Sequence, residues 1–255
     1  MGKFLKTALM LLMVGQSPVQ AASPLSLTAA SGDLPKLERQ NRAAKGLPEL
    51  MAISHDSSQV QQPISDFENL YAQAEQAQQE LAMLTHKVAF LSGTEASVPN
   101  IKSRERAKAK VASKFNGDVT ALTDLARTTI IANDVEGVVR AYQTLQQQGQ
   151  IQQVKNRFQN PKANGYRDLN VLVTLPETQL VAEVQIHLSD IAAIKSGPEH
   201  KIYTDIQQIE RLAEQQQRQL SEFETARIAK LKQQSTQLYQ QQWAQIELAQ
   251  PQQFG

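Results

Sequence analysis

The stretch that decides the fold is residues 179–188, Gln-Leu-Val-Ala-Glu-Val-Gln-Ile-His-Leu. Alternate residues of an extended chain point to opposite faces. Leu180, Ala182, Val184, Ile186 and Leu188 therefore share one face, and Val181, Glu183, Gln185 and His187 share the other. The pattern is that of a central strand. Its apolar face closes a core, and its polar face lines a cleft or a covering network, since buried polar groups need partners. A sheet with one solvated face gives the same alternation. Glu183 is the residue here that can hold a metal ion or take a proton from a hydroxyl.

Working outward, residues 169–175 alternate in the same way, with Asp168 and Asn170 set against Leu169 and Val171. Pro176-Glu177 is a connection short enough for an antiparallel hairpin. Residues 151–158 and 127–132 read as two more strands, with turn signals at Asn160-Pro161 and Asn164-Gly165. A helix is expected over residues 65–92, capped by Ser65 with Glu68 three residues on. Phe67, Leu70, Tyr71, Ala74, Ala77, Leu81, Leu84 and Val88 recur along it at helical spacing. Residues 94–99 read as a connector. A basic helix follows over 101–115, closed by Asn116-Gly117-Asp118, and then a short helix over 120–126. Residues 135–148 form a helix with Val138, Val139, Tyr142 and Leu145 inward and Gly149 as its cap. Helices interleaved with strands in this order give a mixed α/β (α+β) fold, a mixed sheet flanked by helices.

The ends read differently. Lys3 and Lys6, the apolar run 7–14 and Val19-Gln20-Ala21 form a signal-peptide pattern over residues 1–21, with Ala22 as the mature start. Cleavage would place the mature chain in the periplasm or outside the cell; an uncleaved membrane anchor or a misassigned start codon is the alternative, and no other stretch is apolar enough to span a membrane. Residues 22–63 read as a linker or irregular arm, in which the Leu-Pro pairs at 34–35 and 47–48 interrupt any helix. The folded domain is expected over 64–204 and a Gln-rich helical tail over 205–255. The tail's apolar stripe runs through Ile206, Ile209, Leu212, Leu220, Phe223, Ile228, Leu231 and Leu238. Such a stripe either packs on its own domain or forms a homo-oligomer contact.

Composition excludes several chemistries. The chain has 255 residues, 41% of them hydrophobic, enough for a core. Lys and Arg number 26 against 25 Asp and Glu, so bulk attraction to polyanions is not expected and any basic site is local. There is no cysteine, which removes disulfides, thiolate ligands and a Cys nucleophile. The four histidines form no close pair of the zinc-helix kind.

Two further segments carry candidate chemistry. Lys102, Arg106 and Lys110 are spaced by four and share one helix face, with Arg104 and Lys108 beside it. Like charges at this spacing repel, and a polyanion would relieve them; a solvated basic face is the alternative. Asp124 stands just before the strand beginning at Arg127, where a carboxylate can hold Mg²⁺ or cap the segment. The stretch 155–167 gathers Lys155, Arg157, Lys162 and Arg167 with Asn164 and Tyr166 around a tight turn. The cations can bind phosphates and Tyr166 can stack on a base, or Tyr166 can serve as a core anchor.

In order, these are a basic helix, an Asp-containing turn into a strand, Asn164-Gly165-Tyr166-Arg167, Glu183-Val184-Gln185-Ile186-His187 and His200-Lys201-Ile202-Tyr203. Together they resemble the RelA/SpoT synthetase domain, over roughly residues 95 to 205. That family makes alarmones such as (p)ppGpp, moving pyrophosphate from ATP to the 3′-hydroxyl of a guanosine nucleotide. The resemblance implies a nucleotidyltransferase-like fold and a Mg²⁺-dependent pyrophosphokinase that takes ATP and a purine nucleotide. It implies that Asp124 and Glu183 hold Mg²⁺, with Glu183 also the base. Lys102, Arg106 and Lys110 would lie along the donor triphosphate, and Lys155 and Lys162 would face the acceptor phosphates. Tyr166 would stack on the acceptor base, while Gln185 and His200 support the site. Arg127, Arg157, Asn164 and Asn170 complete the implied nucleotide-binding set.

The sequence departs from the family pattern at several positions. Arg127 stands where the family has Gly, and Thr129 where it has Arg. Asp168 and Asn170 replace the Ser and His of Gly-Tyr-Arg-Ser-Leu-His, and His187 replaces an Arg. These changes leave adenine nucleotides and RNA ends open as acceptors beside guanine nucleotides. The chain shows no His-Asp signature of the family's hydrolase. Two readings follow. One is an active pyrophosphotransferase; because ATP and GTP are scarce outside the cytoplasm, an exported one would act as a toxin within another cell. The other is a silent nucleotide-binding or structural module in the periplasm. Carboxylates of Asp124 and Glu183 converging in one cleft beside the basic helix would favour the first.

Overall fold

The computed structural model describes residues 46–248. The expected signal at 1–21 and the part of the expected arm before residue 46 lie outside the described residues. The described chain holds a five-stranded sheet in the order β1-β2-β5-β4-β3. The strands are β1 (Glu95–Ser97), β2 (Arg127–Ala132), β3 (Gln150–Asn156), β4 (Leu169–Thr174) and β5 (Val181–Leu188). β5 is central, parallel to β2 and antiparallel to β4. β3 pairs antiparallel with β4, and β1 with β2. The mixed α/β architecture is the one expected.

The apolar side of β5 does what its alternation predicts. Ala182, Val184 and Ile186 are fully buried, with Ile130, Leu169, Val171 and Val173 from the neighbouring strands. Helices α3 (Ala74–Ser92) and α5 (Val135–Gln148) cover this face. Leu81 and Val88 come from the first, and Val138, Ala141 and Leu145 from the second, all at 3.6-residue spacing. Burying a Leu or Val side chain contributes about 1.5–3 kcal/mol, so this layer dominates the packing. Asp134 starts α5 by accepting from Gly137 N at 2.7 Å. Gly149 ends it in extended rather than left-handed geometry, because the chain turns straight into β3.

Several expectations need correction. The arm is not irregular throughout: α1 (Leu47–Ala52) forms within it and buries Leu47 and Leu50 against α5. Pro48 lies in the first turn, where its missing N–H would lack a helical partner anyway, so it starts this helix rather than breaking it. The helix expected over 65–92 divides into α2 (Phe67–Ala72) and α3, with a kink at Gln73. Its cap is Asp66, which accepts from Asn69 N at 2.8 Å. Glu68 does not close a capping box and instead meets Arg104 and Lys108. The connector contains β1, and the short helix expected over 120–126 is a single 3₁₀ turn, Val119–Ala121.

Three helices follow β5: α6 (Ser189–Ser196), α7 (Pro198–Gln215) and α8 (Glu222–Leu248); the expected tail from residue 205 takes up the larger part of α7 and all of α8. In α8 the buried positions are Ile228, Ser235, Tyr239, Trp243 and Ile246. Only Ile228 belongs to the expected stripe; Phe223 is 77% exposed. Tyr239 and Trp243 pack edge-on against Tyr166 and tilted against Phe158, so this face is used within the chain. Gly165, at φ 80°, permits the approach, since a Cβ there would stand 3.3 Å from Tyr239 Cβ. No described helix is long and apolar enough to cross a membrane.

Candidate active site

Strand register assembles a polar surface on the second face of the sheet. One row reads Lys155, Asn170, Gln185, Thr129 across β3, β4, β5 and β2. The next reads Gln153, Leu172, Glu183, Arg127. The basic helix α4 (Arg104–Lys114) stands at the edge of this face. Ser103 caps α4, and Ala107 and Val111 anchor it; Arg104, Arg106 and Lys108 stay exposed, while Lys110 turns toward Asp124.

Asp124 reaches the same place from the turn before β2. Glu183 N donates to Ala126 O at 3.1 Å, tying that turn to the middle of β5. Asp124 Oδ2 accepts from Lys102 Nζ at 2.9 Å and Lys110 Nζ at 2.7 Å. Burial alone would raise the Asp124 pKa, but the two ammonium groups outweigh it and hold the carboxyl below its usual value. Asp124 Oδ1 is buried without a partner. Asp124 and Glu183 line one cavity of about 410 Å³, with Lys110, Lys155, Arg157 and Asn170. A larger cavity of about 840 Å³ adjoins it and shares Asp124 and Lys110. That second space is bounded by Lys102, Arg106, Arg127 and, from α7, Tyr203 and Arg211.

Glu183 is held by its neighbours. Gln185 Nε2 donates to Glu183 Oε1 at 2.6 Å, and Gln185 Oε1 accepts from Lys195 Nζ at 2.8 Å. Burial lowers the Lys195 pKa to about 8, with Asp168 pulling it back up in part. Lys195 lies on α6, and no spacing in the sequence pointed to it. Gln153 was also missed. It could have been read from the alternation of Gln153, Lys155 and Arg157, the same period that singled out Glu183 and Gln185.

Four residues assigned to the nucleotide lie elsewhere. Tyr166 is 5% exposed and does not offer its ring to a base. Its hydroxyl donates to Asp168 Oδ2 at 2.8 Å and lies 2.6 Å from His187 Nε2, while Tyr239 covers it edge-on. Arg157 completes this group with an ion pair to Asp168 at 2.8 Å. Burial lowers the His187 pKa, which Asp168 beside it opposes in part. Burial also opposes ionisation of Asp168, but His187 and Arg157 outweigh it and keep it low. Asp168 and His187, two departures from the family pattern, thus meet at one tyrosine hydroxyl. Asn164 is turned away by its own turn: Oδ1 accepts from Tyr166 N, and Nδ2 donates to Ser235 on α8. Lys162 lies beside it, with Nζ 4.9 Å over the Tyr166 ring, in a separate cavity toward α8. His200 is exposed on α7 and lines none of these three cavities.

Mg²⁺ commonly takes one or two carboxylates and completes its shell with phosphate oxygens and water. Asp124, with its unpartnered Oδ1, and Glu183 in the same cavity fit that demand. No cluster of three or more His, Cys, Asp or Glu exists among the described residues, so an all-protein metal cage is not formed there.

Comparison with known proteins agrees with this geometry. Residues 100–208 match the family model described as a region found in RelA / SpoT proteins. A segment of 71 residues is 41% identical to the (p)ppApp synthetase toxin Tas1 of Pseudomonas aeruginosa, covering 28% of this chain and only 16% of that protein. Among solved structures, small alarmone synthetase 2 from Bacillus subtilis aligns with a TM-score of 0.52 at 22% identity, over 72% of this chain and 95% of that one. Type VI effector Tas1, solved with its immunity protein, aligns at 0.50 and 21%, over 71% and 96%. These two structures speak for the fold. Residues 100–208 of this chain thus resemble the region found in RelA / SpoT proteins, and the sheet that carries them has the fold of a small alarmone synthetase.

Proposed function

We propose that this protein is a nucleotide pyrophosphokinase, moving pyrophosphate from ATP to the 3′-hydroxyl of a purine nucleotide. The observation that carries the reading is the meeting of Asp124 and Glu183 in one cavity beside Lys110. The donor triphosphate lies in the larger cavity, along Lys102, Arg106 and Lys110. The acceptor lies in the smaller one, its phosphates toward Lys155 and Arg157. Glu183, oriented by Gln185, takes the proton of the 3′-hydroxyl. That oxygen bonds to the β-phosphorus, the bridge from α- to β-phosphorus breaks, and AMP leaves. Asp124 and Glu183 would hold Mg²⁺, which would neutralise phosphate charge. Transfer of this type rests on positioning and electrostatics rather than on a covalent enzyme intermediate.

The test is incubation of the chain from Ala22 with radiolabelled ATP, Mg²⁺ and GDP, GTP, ADP, ATP or tRNA, beside Glu183→Gln. A labelled product absent from the control supports the reading and names the acceptor. A folded chain that makes none with any acceptor is a silent nucleotide-binding or structural module instead. The name of the Pseudomonas relative, a (p)ppApp synthetase toxin, makes the adenine nucleotides a pointed part of the panel.

We further propose that residues 1–21 direct export and that the mature chain acts as a toxin. Lys3, Lys6 and the apolar run after them support this. Mass spectrometry of the chain recovered from a bacterial periplasm should give an N-terminus at Ala22. Retention of Met1 would overturn it.

A further inference from the structure

Four side-chain nitrogen or oxygen atoms among the described residues are buried with no hydrogen-bond partner: Asp124 Oδ1, Gln153 Oε1, Arg167 Nε and Asn170 Nδ2. Three of them belong to residues lining the single cavity that holds Glu183. Asp124 Oδ1 is the atom assigned to Mg²⁺ in the proposed function. Gln153 and Asn170, each 3% exposed, have no such assignment. Native proteins leave few such groups unsatisfied, and two of them lining one cavity are positioned to meet a ligand there.

The orientation of the Gln153 amide follows from its other end. Gln153 Nε2 donates to Ser58 O, a carbonyl that can only accept. Oε1 is therefore the free atom, and it demands a donor. Asn170 Nδ2 demands an acceptor. A purine edge presents both side by side, an exocyclic amine next to a ring nitrogen or carbonyl. Placement agrees with this. Gln153 and Glu183 stand in one register row with Leu172 between them. Two strand spacings separate them, about 10 Å, the reach of a nucleoside from its 3′-hydroxyl to its base.

The far wall of the cavity is the strap at residues 57–60. It is pinned on both sides. Asp56 N donates to Val154 O at 2.7 Å, and the Gln62 side chain bridges Leu122 O and Val181 O at 2.9 and 2.8 Å. The strap lies outside the region matched by the family model. It lines the same cavity as Gln153 and Asn170, and its Ser58 carbonyl holds the Gln153 amide.

We propose that Gln153, Asn170 and the strap at 57–60 form the base-reading wall of the acceptor subsite, with Gln153 Oε1 accepting from an exocyclic amine of the purine. The proposal rests on the pyrophosphotransfer reading for its placement of the 3′-hydroxyl. Its test separates the two. Gln153→Leu keeps the volume and removes the acceptor atom. With ADP or GDP, whichever the wild type uses, acceptor KM should rise about tenfold, the effect of one lost hydrogen bond. The turnover number and the KM for ATP should stay within about twofold on the same argument. IDP lacks the exocyclic amine and should be used equally poorly by both proteins. An unchanged KM for ADP and GDP, or an equal loss with IDP, overturns the proposal.

Calorimetric binding of ADP, GDP and IDP without ATP provides the second arm. Should the wild type make no product yet bind ADP or GDP about tenfold tighter than Gln153→Leu does, the wall stands and the transferase reading falls. Absence of binding overturns the wall. Hydrogen exchange on the wild type guards against a misfolded variant: bound nucleotide should protect 57–60, and no protection there overturns the strap's role.

Discussion

Gln185 stands between Glu183 and Lys195, donating to the carboxylate at 2.6 Å and accepting from the ammonium at 2.8 Å. An amide used at both ends cannot rotate without breaking a charge-assisted bond. Glu183 is thereby aimed before any substrate arrives. Gln185→Leu should lower the turnover number by about 10- to 100-fold, the range for a hydrogen bond to a charged group, with nucleotide KM values little changed. Steady-state kinetics with each substrate varied in turn would show this. A rise in KM at constant turnover would place Gln185 in binding instead.

Lys195 should leave a signature in the pH dependence of stability. Its folded pKa is lowered to about 8, while its unfolded value is the ordinary one near 10.4. Between these values the unfolded chain holds the proton and the folded chain does not. Stability from this group therefore rises with pH across that window. Urea denaturation at pH 7.5 and pH 10 should show a larger gain for wild type than for Lys195→Met. Equal gains would mean that the ammonium is not confined.

Asp124 carries charge for structure as well as for the chemistry proposed for it. Its carboxyl is held low by Lys110 and Lys102. The stability it contributes is therefore present above its unfolded pKa and lost as pH falls through the folded one. Asp124→Asn should lower the melting temperature at neutral pH and flatten the acid side of the profile. Because the lysines already satisfy Oδ2, EDTA should abolish turnover while leaving the melting temperature in place. Unfolding on chelation would assign the metal a structural role.

Tyr166 distinguishes a core anchor from a base platform. Tyr166→Phe removes the hydroxyl shared by Asp168 and His187 and leaves buried polar atoms behind. A cost of about 1–3 kcal/mol is expected, with acceptor KM unchanged. Thermal denaturation and acceptor titration on the same variant provide both readings. A changed KM with unchanged stability would return the ring to the acceptor.

Trp243 is the only tryptophan in the chain, and it packs between Phe158 and the Arg167 guanidinium. Its emission therefore reports the seating of α8. Trp243→Ala should cost about 3–5 kcal/mol, as aromatic truncations in cores do. Emission of the native protein should be blue-shifted and move to the red as α8 comes away in denaturant. Red-shifted emission from the folded state would mean that α8 is not docked.

Much of this arrangement is written in local alternation. The two faces of β5, the span of β2 and the inner stripe of α5 follow from residue spacing, because each is set by neighbours in sequence. What was not legible depends on distant partners. β1 has no apolar alternation, and only its pairing with β2 makes Glu95–Ser97 a strand. Pro48 reads as a breaker until α5 is there to receive Leu50. Tyr166 looks like a binding residue because its neighbours are cationic, and its burial comes from Tyr239 on another helix. Lys195 gives no signal at all, since its importance lies in ending beside Gln185.

The parallel pairing of β2 with β5 has one more consequence. It joins strands separated by α5, β3 and β4, so it closes a long loop, and its entropic cost precedes the contacts that offset it. Asp124 lies before the first strand and Glu183 within the second. Until that closure is made they are unrelated residues on a flexible chain. The proposed pyrophosphotransfer therefore depends on topology rather than on any local segment: a fragment lacking this pairing is expected not to turn over, and activity is expected to return on refolding together with the β2–β5 contact.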